Sequence, residues 1–506
     1  MKPNILFFLI DGLREDKCHG NKKTSVTPHI DSLIQNGVYF NQTICSAPVT
    51  FTALSSLFTG LHASEAVILN NEIFTINQKR KNYVEHLKEI GYTTYAFLPE
   101  SIDLWQYGGI FEENVYKYAY TDTVFNGNGK LIVEKLKENS LREPWFYYLH
   151  LYDLYVYSVF EIDDGGSKEL NNKKYGNNKY DRILSAMDVW IGKILDNVDL
   201  SNTLVILTAD HATERGDYDS KLEEYASYCQ KIRTSWEPNP VSKSIASVKK
   251  IPKILQPMKT YMSKSYSRHR RRVVKDRIRP EIEKIENEDL SPYYKRLKKS
   301  AASNILGTFD DRFLIPLCFS GFGITSKHII SDQVRSVDIF PTIMDIINSP
   351  DIHNIRGRSL LPYLEGKKMN EVPVLIESLP PSLSAYTTNS VGIRTSEYKY
   401  FRDRNKPTKN VHLYDLVKDP LEEKNLADEL PDVVQKMENI LNEIQGQKSF
   451  DYEKSNELDD DETQSVEKEL RKLGYIDWNL FNKTNWVLWL RSITSEIDII
   501  EKFNQK

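Results

Sequence analysis

The sequence has no cysteine cluster. Its four cysteines, Cys18, Cys45, Cys229 and Cys318, are widely spaced and form no CxxC. That excludes a disulfide framework and a thiolate zinc cluster, and it fits a reducing compartment. Long apolar runs are lacking too. No window approaches the roughly 18 apolar residues that span a bilayer. The first apolar run, Ile5 to Ile10, leads straight into Asp11 with no small-residue cleavage site. It reads as a buried strand rather than a signal peptide. The expected location is the cytoplasm, with a peripheral place at the inner membrane face as the alternative. Neither sign of charge dominates: 67 Lys and Arg against 71 Asp and Glu leave −4. Overall charge therefore gives no reason to invoke nucleic acid.

What is present is enough apolar material for one large core and a smaller subdomain: 506 residues, 40% hydrophobic. Apolar runs alternate with helical patterns. "NILFFLI" predicts a strand, and "TPHIDSLIQNG" a helix that Gly37 ends. "KNYVEHLKEIGYTTYAFL" reads as helix, Gly91 stop, then strand. "WFYYLHLYD" is a strand, "YDRILSAMDVWIGKILDNV" a helix, and "NTLVILTADH" a further strand. This alternation predicts an α/β fold with a central, mostly parallel sheet covered by helices. Its ligand site should lie beyond the C-terminal ends of strands.

A catalytic domain is expected over 1–347, interrupted at about 219–305 by an insert. Within it, residues 249–299 hold 17 Lys/Arg against 6 Asp/Glu, including "RHRRR" at 268–272. Such a run is commonly a solvated helical face. The functional alternative is peripheral contact with an anionic membrane or glycan. A small antiparallel sheet with helix is expected over 348–447. A charged tail follows over 448–506, with Trp478, Trp486 and Trp489.

Asp11 directly follows a strand, and Asp210 and His211 end another. A strand-end carboxylate often only caps a turn. Adjacent carboxylate and imidazole, however, suit a catalytic divalent ion, with Mn or Zn favoured over Mg or Ca.

Taken in order, the segments "NILFFLIDGLRED", "TPHIDSLIQNGVYFNQTICSAP", "SSLFTG", "TLVILTADHATERGD", "SVDIFPTIMDI", "GRSLLPYLEG" and "HLYDLVKDPLEEKNLAD" resemble the sulfatase family, within the alkaline phosphatase superfamily. The resemblance implies that family's mixed sheet with helices on both faces and a C-terminal α+β subdomain. In sulfatases the nucleophile is a cysteine, oxidised to formylglycine, in C-x-P-x-R. It stands ten residues before the glycine of a "LLTG"-like ending. Ten residues before Gly60 stands Thr50, not Cys45, and Leu54 replaces the arginine. The resemblance then implies Thr50 as both nucleophile and metal ligand, as in phosphodiesterase and phosphotransferase branches. Otherwise Thr50 simply starts a helix.

The usual Lys/His grip on sulfate has no counterpart in "YAFLPESID", and Tyr155 stands where a histidine is usual. Near Asp153 there is no D-x-x-x-H, so one metal held by Asp11, Thr50, Asp210 and His211 is expected. Arg14, His150 and Lys399 are candidates for anion binding or leaving-group protonation. The leading expectation is cleavage or transfer of a phosphate ester through a Thr50 covalent intermediate. Sulfuric ester hydrolysis is the alternative, and a non-catalytic binding protein the second alternative. The substrate class would be a small-molecule, glycan or lipid head-group ester.

Overall fold

The computed structural model describes residues 2–159, 170, 172–234, 275–303, 307–349, 352–379, 389–446 and 453–455, with short gaps at 71–72, 104–107, 112–113, 120–121 and 138–139. The main sheet contains β1 (Asn4–Ile10) and β2 (Val38–Ile44). A side ribbon is formed by β3 (Val67–Asn70) and β4 (Ile73–Ile76). The main sheet continues with β5 (Thr93–Pro99), β6 (Val115–Tyr118), β7 (Trp145–Leu151), β8 (Thr203–Thr208), β9 (Leu314–Gly321), β10 (His328–Ile330) and β11 (Val334–Arg335). Its order is β10-β2-β9-β8-β1-β7-β5-β6, with β11 also on β2. All pairings are parallel except those of β9, which runs against both β2 and β8. The expected mixed, mostly parallel sheet is therefore observed.

Every residue of β1 is buried. A strand can be apolar along its whole length only when both sheet faces are covered, and "NILFFLI" has no polar alternation after Asn4. The predicted helices form at Pro28–Gln35, Tyr83–Glu89 and Lys179–Leu195.

The second sheet comprises β12 (Val374–Ser378), β13 (Ser390–Arg394), β14 (Tyr398–Asp403) and β15 (His412–Asp415), all antiparallel. The Pro431–Gln445 helix lays Met437 and Leu441 on Val391, Ile393 and Leu413. At its near edge, Glu377 N donates to Ser46 O at 2.9 Å, so this sheet abuts the loop before Thr50. Beyond it, β16 (Glu453–Ser455) pairs with β3.

Half of the basic segment is visible. Its most basic part, 249–274, holds nine Lys/Arg and no acidic residue; it lies outside the described residues, as do the tail tryptophans. The remainder ends in the Pro292–Ser303 helix. There the charges are spent internally: Lys298 pairs with Glu288, Lys299 with Glu286 and Arg296 with Asp311. Lys275, Arg277, Arg279 and Lys284 remain exposed, so only the last helix of this half turns its charges inward.

Candidate active site

β8, β1 and β7 are neighbours, parallel and nearly in step: Leu9 pairs with Thr208 on one side and His150 on the other. Their C-terminal ends therefore deliver Asp210–His211, Asp11 and His150 to one edge. A single bridge, Gly12 to Ala212, joins the two loops beyond the strands. Gly12 has φ +73°, which permits the turn that swings the chain away after Asp11. β2 runs parallel to β8 across the antiparallel β9, so the Cys45–Thr50 loop emerges on the same edge.

Thr50 starts the Thr50–Thr59 helix, all ten residues of which are buried. Its position places the hydroxyl at the positive end of that helix. Gly60, at φ +66°, ends the helix where an added Cβ would lie 3.1 Å from Phe340. The hydroxyl lies 3.1 Å from Asp11 Oδ2 and 3.0 Å from His211 Nε2. His211 Nδ1 is 2.8 Å from the Ala212 carbonyl. A carbonyl only accepts, so Nδ1 carries a hydrogen and Nε2 is the ring nitrogen turned to the cluster. Asp210 Oδ2 lies 3.5 Å from that same Nε2.

The cluster is rich in acceptors and poor in hydrogens. Asp11 and Asp210 are buried, and Asp11 Oδ1 and Asp210 Oδ2 have no hydrogen-bond partner. Burial, and next the charge of Asp210, push the Asp11 carboxyl well above its ordinary range. Two dry carboxylates with empty lone pairs are costly without a cation. Ligand atoms of Asp11, Asp210 and His211 lie within 4.8 Å of one another. The donor set therefore fits a divalent ion, and the Thr50 hydroxyl stands beside it.

The remaining expectations divide. His150 joins the site: it is fully buried, with Nε2 3.6 Å from Asp11 Oδ2 and Nδ1 3.0 Å from the Tyr148 hydroxyl. Burial pulls it down to about 4, so the imidazole is neutral near pH 7 and carries no charge for an anion. Lys399 is corrected. Its ammonium sits 2.7 Å from Asp310 and 3.0 Å from Glu422, at the join to the second sheet, and its charge is consumed there. Arg14 is corrected likewise. It pairs with Asp16 and Asp217, both at 2.7 Å, and fastens loops instead of meeting an anion. Cys45 is buried, with Sγ 3.2 Å from Ala47 O and 3.6 Å from Arg312 O; burial raises its thiol well above the usual value.

Sequence reasoning passed over Tyr180. Its buried hydroxyl donates to Gly12 O at 2.9 Å and accepts from Arg14 N at 3.0 Å, so it braces the Asp11 loop. A tyrosine within an amphipathic helix reads as core. Only the polar tip facing a strand-end loop distinguishes it.

Comparison with known proteins bears on the fold and the family. The family model described as "Sulfatase" matches residues 3–250, and "N-sulphoglucosamine sulphohydrolase, C-terminal" matches 307–447. Arylsulfatase K of Gallus gallus is 35% identical over 138 residues, 26% of this chain and 25% of that protein. The match thus spans about a quarter of that relative's length. Among solved structures, a 2-O GAG sulfatase superposes with a TM-score of 0.56 at 15% identity, covering 96% of this chain and 97% of its own. The phosphonate monoester hydrolase of Agrobacterium radiobacter superposes with a TM-score of 0.54 at 15% identity, covering 88% and 95%. The chain belongs to the sulfatase family, whose members are metal-dependent enzymes of the alkaline phosphatase-like superfamily.

Proposed function

We propose that the chain hydrolyses a sulfuric ester at a single divalent-metal site, with Thr50 as the attacking group. Membership of the sulfatase family supports the ester class. The observation that carries the mechanism is the Thr50 hydroxyl held between Asp11 and His211. Asp11, Asp210 and His211 would hold the ion, with Thr50 beside them. When bound, a divalent cation offsets negative charge on the non-bridging oxygens and makes the hydroxyl more acidic.

Thr50 Oγ1 forms a bond to sulfur as the bond to the leaving oxygen breaks. The hydroxyl proton passes to Asp11 Oδ2, 3.1 Å away, while Oδ1 is the oxygen left for the cation. The departing alkoxide takes a proton from solvent water. Water then attacks sulfur, the S–Oγ1 bond breaks, Asp11 returns its proton to Thr50 Oγ1, and the protons of the attacking water pass to solvent as sulfate leaves. A threonine ester has no second hydroxyl on its carbon, so release requires this second in-line attack.

A second reading is cleavage or transfer of a phosphate ester through phosphothreonine. Thr50 itself favours it, because the family's cysteine-derived nucleophile is replaced by a plain hydroxyl. The substrate of either reading is a small-molecule, glycan or lipid head-group ester. The four buried free thiols support a reducing compartment. Among the described residues, no helix is long and apolar enough to cross a membrane. The nine basic residues in 249–274 support peripheral attraction to an anionic surface.

The test is a grid of aryl sulfate, aryl phosphate, aryl phosphodiester and aryl phosphonate, each with Mn, Zn, Mg and Ca. Preferential turnover of the sulfate is expected. Turnover of phosphorus esters alone would replace the first reading by the second. Bound metal with no turnover would mark a binding protein.

A further inference from the structure

Residues 251–306 lie between the two family regions and outside both. The helix that ends this stretch, Pro292–Ser303, packs Leu297 and Ala301 against Tyr218, Leu222 and Ala226. It also reaches the loops that carry the metal ligands, at two points.

At the first, the Tyr293 hydroxyl donates to Asp217. The same carboxylate takes Arg14 at 2.7 Å and Lys17 at 3.2 Å. Arg14 follows Asp11 by three residues, and Asp217 follows His211 by six. This contact therefore fastens one metal-bearing loop to the other. The two are packed without slack, since a Cβ on Gly216 would lie 2.5 Å from Arg14 Cδ.

At the second, Ser300 Oγ donates to Glu214 Oε1 at 2.7 Å. Glu214 also takes Arg312 Nη2 at 2.5 Å. The Arg312 carbonyl accepts from Ala212 N at 3.0 Å, and the Ala212 carbonyl orients His211. Burial alone would raise Glu214, but Arg312 and Ser300 outweigh it and hold the carboxyl at about 2. The clamp is therefore ionised at neutral pH.

We propose that Tyr293 and Ser300 are positioning residues for the metal, so that the stretch between the two family regions is a working part of the site. They fix the separation of Asp11 from Asp210 and His211 through Asp217–Arg14 and Glu214–Arg312. This rests on the metal-site reading above. Partners that orient first-layer ligands typically change metal affinity by about 10- to 100-fold when removed.

The experiment measures Mn²⁺ affinity of the full chain by chelator competition, alongside the melting temperature without metal. Tyr293→Phe and Ser300→Ala should each weaken Mn²⁺ about tenfold. Ser300→Thr, which keeps the hydroxyl, should restore affinity. Leu297→Ala, on the same helix but facing the apolar cluster, should lower the melting temperature and leave Mn²⁺ affinity unchanged. Wild-type affinity in Tyr293→Phe and Ser300→Ala would overturn the proposal, as would an equal loss in Leu297→Ala. The metal-site reading is scored separately: it fails if the wild type binds no Mn²⁺ or if Asp210→Ala still binds it.

Discussion

The chain buries two clusters of charged side chains, and completes them in opposite ways. At the join between the sheets, Lys399 and Arg394 face Asp310 and Glu422 at 2.7–3.0 Å, two cations against two carboxylates. At the ends of β1 and β8, Asp11 and Asp210 face each other, imidazoles, the Thr50 hydroxyl and, for Asp210, the Gly12 N–H at 3.3 Å. Among the described residues, no Lys or Arg pairs with either. Both clusters are dry, so desolvation is charged to each. The first neutralises itself and works as a fastener. The second has a deficit that an added cation would fill, and that deficit is what supports the proposed site.

The largest break in this comparison is at Thr50. Thr50→Ala removes the proposed attacking oxygen from the incomplete cluster without touching the complete one. Turnover of the preferred ester should fall by several orders of magnitude with the fold intact, as circular dichroism will show. Thr50→Ser, which keeps a hydroxyl, should retain part of the activity.

Breaking the complete cluster should have the reverse character. Lys399→Met leaves Asp310 and Glu422 buried with less positive charge, at a cost of about 3–5 kcal/mol in urea unfolding. Folded Lys399→Met should still bind metal with wild-type affinity, because the site does not use the ammonium.

Acid sharpens the contrast. Glu214 is held at about 2 against an ordinary 4.5. Between those values the unfolded chain binds the extra proton. Stability from this ion pair is therefore full above about pH 4.5 and is lost as pH falls toward 2, by roughly 3 kcal/mol at most. Arg312→Met should flatten that part of a stability-versus-pH curve.

Filling the deficit should stabilise. Mn²⁺ at about a hundred times its dissociation constant adds about 2.7 kcal/mol, and Asp210→Ala should abolish the gain in a thermal melt.

Cys45→Ser is the smallest change. A serine hydroxyl can still donate to Ala47 O, so about 1 kcal/mol of stability and little activity should be lost. Mass spectrometry of the wild-type peptide should find an intact thiol. A converted residue 45, together with an inactive Cys45→Ser, would return the protein to the cysteine-dependent mechanism.

Much of this was legible in one dimension because it depends on local pattern. An apolar run followed by Asp11 or by Asp210–His211 is a strand with its ligand at the C-terminal end. The resemblance to the sulfatase loop, counted ten residues back from Gly60, implies Thr50. The structure then sets its hydroxyl 3.0 Å from His211, while Cys45 meets only carbonyls. Three cationic or imidazole side chains could not be sorted this way. Arg14, His150 and Lys399 look alike as candidates, yet two are spent on carboxylates and one is a neutral ring beside Asp11.

By itself, then, the sequence determined the strands and helices, the edge of the sheet where chemistry is sited, the ligand residues at two strand ends and the hydroxyl opposite them. The strands, helices and strand-end residues follow from periodicity and position, and Thr50 from the resemblance to the sulfatase loop. Only the tertiary structure decided which charges are compensated. Lys399 meets Asp310 across 89 positions, and Ser300 meets Glu214 across 86. A charge counts as free or spent according to what lies within about 3 Å of it, and at those separations in the chain only folding brings the partner there.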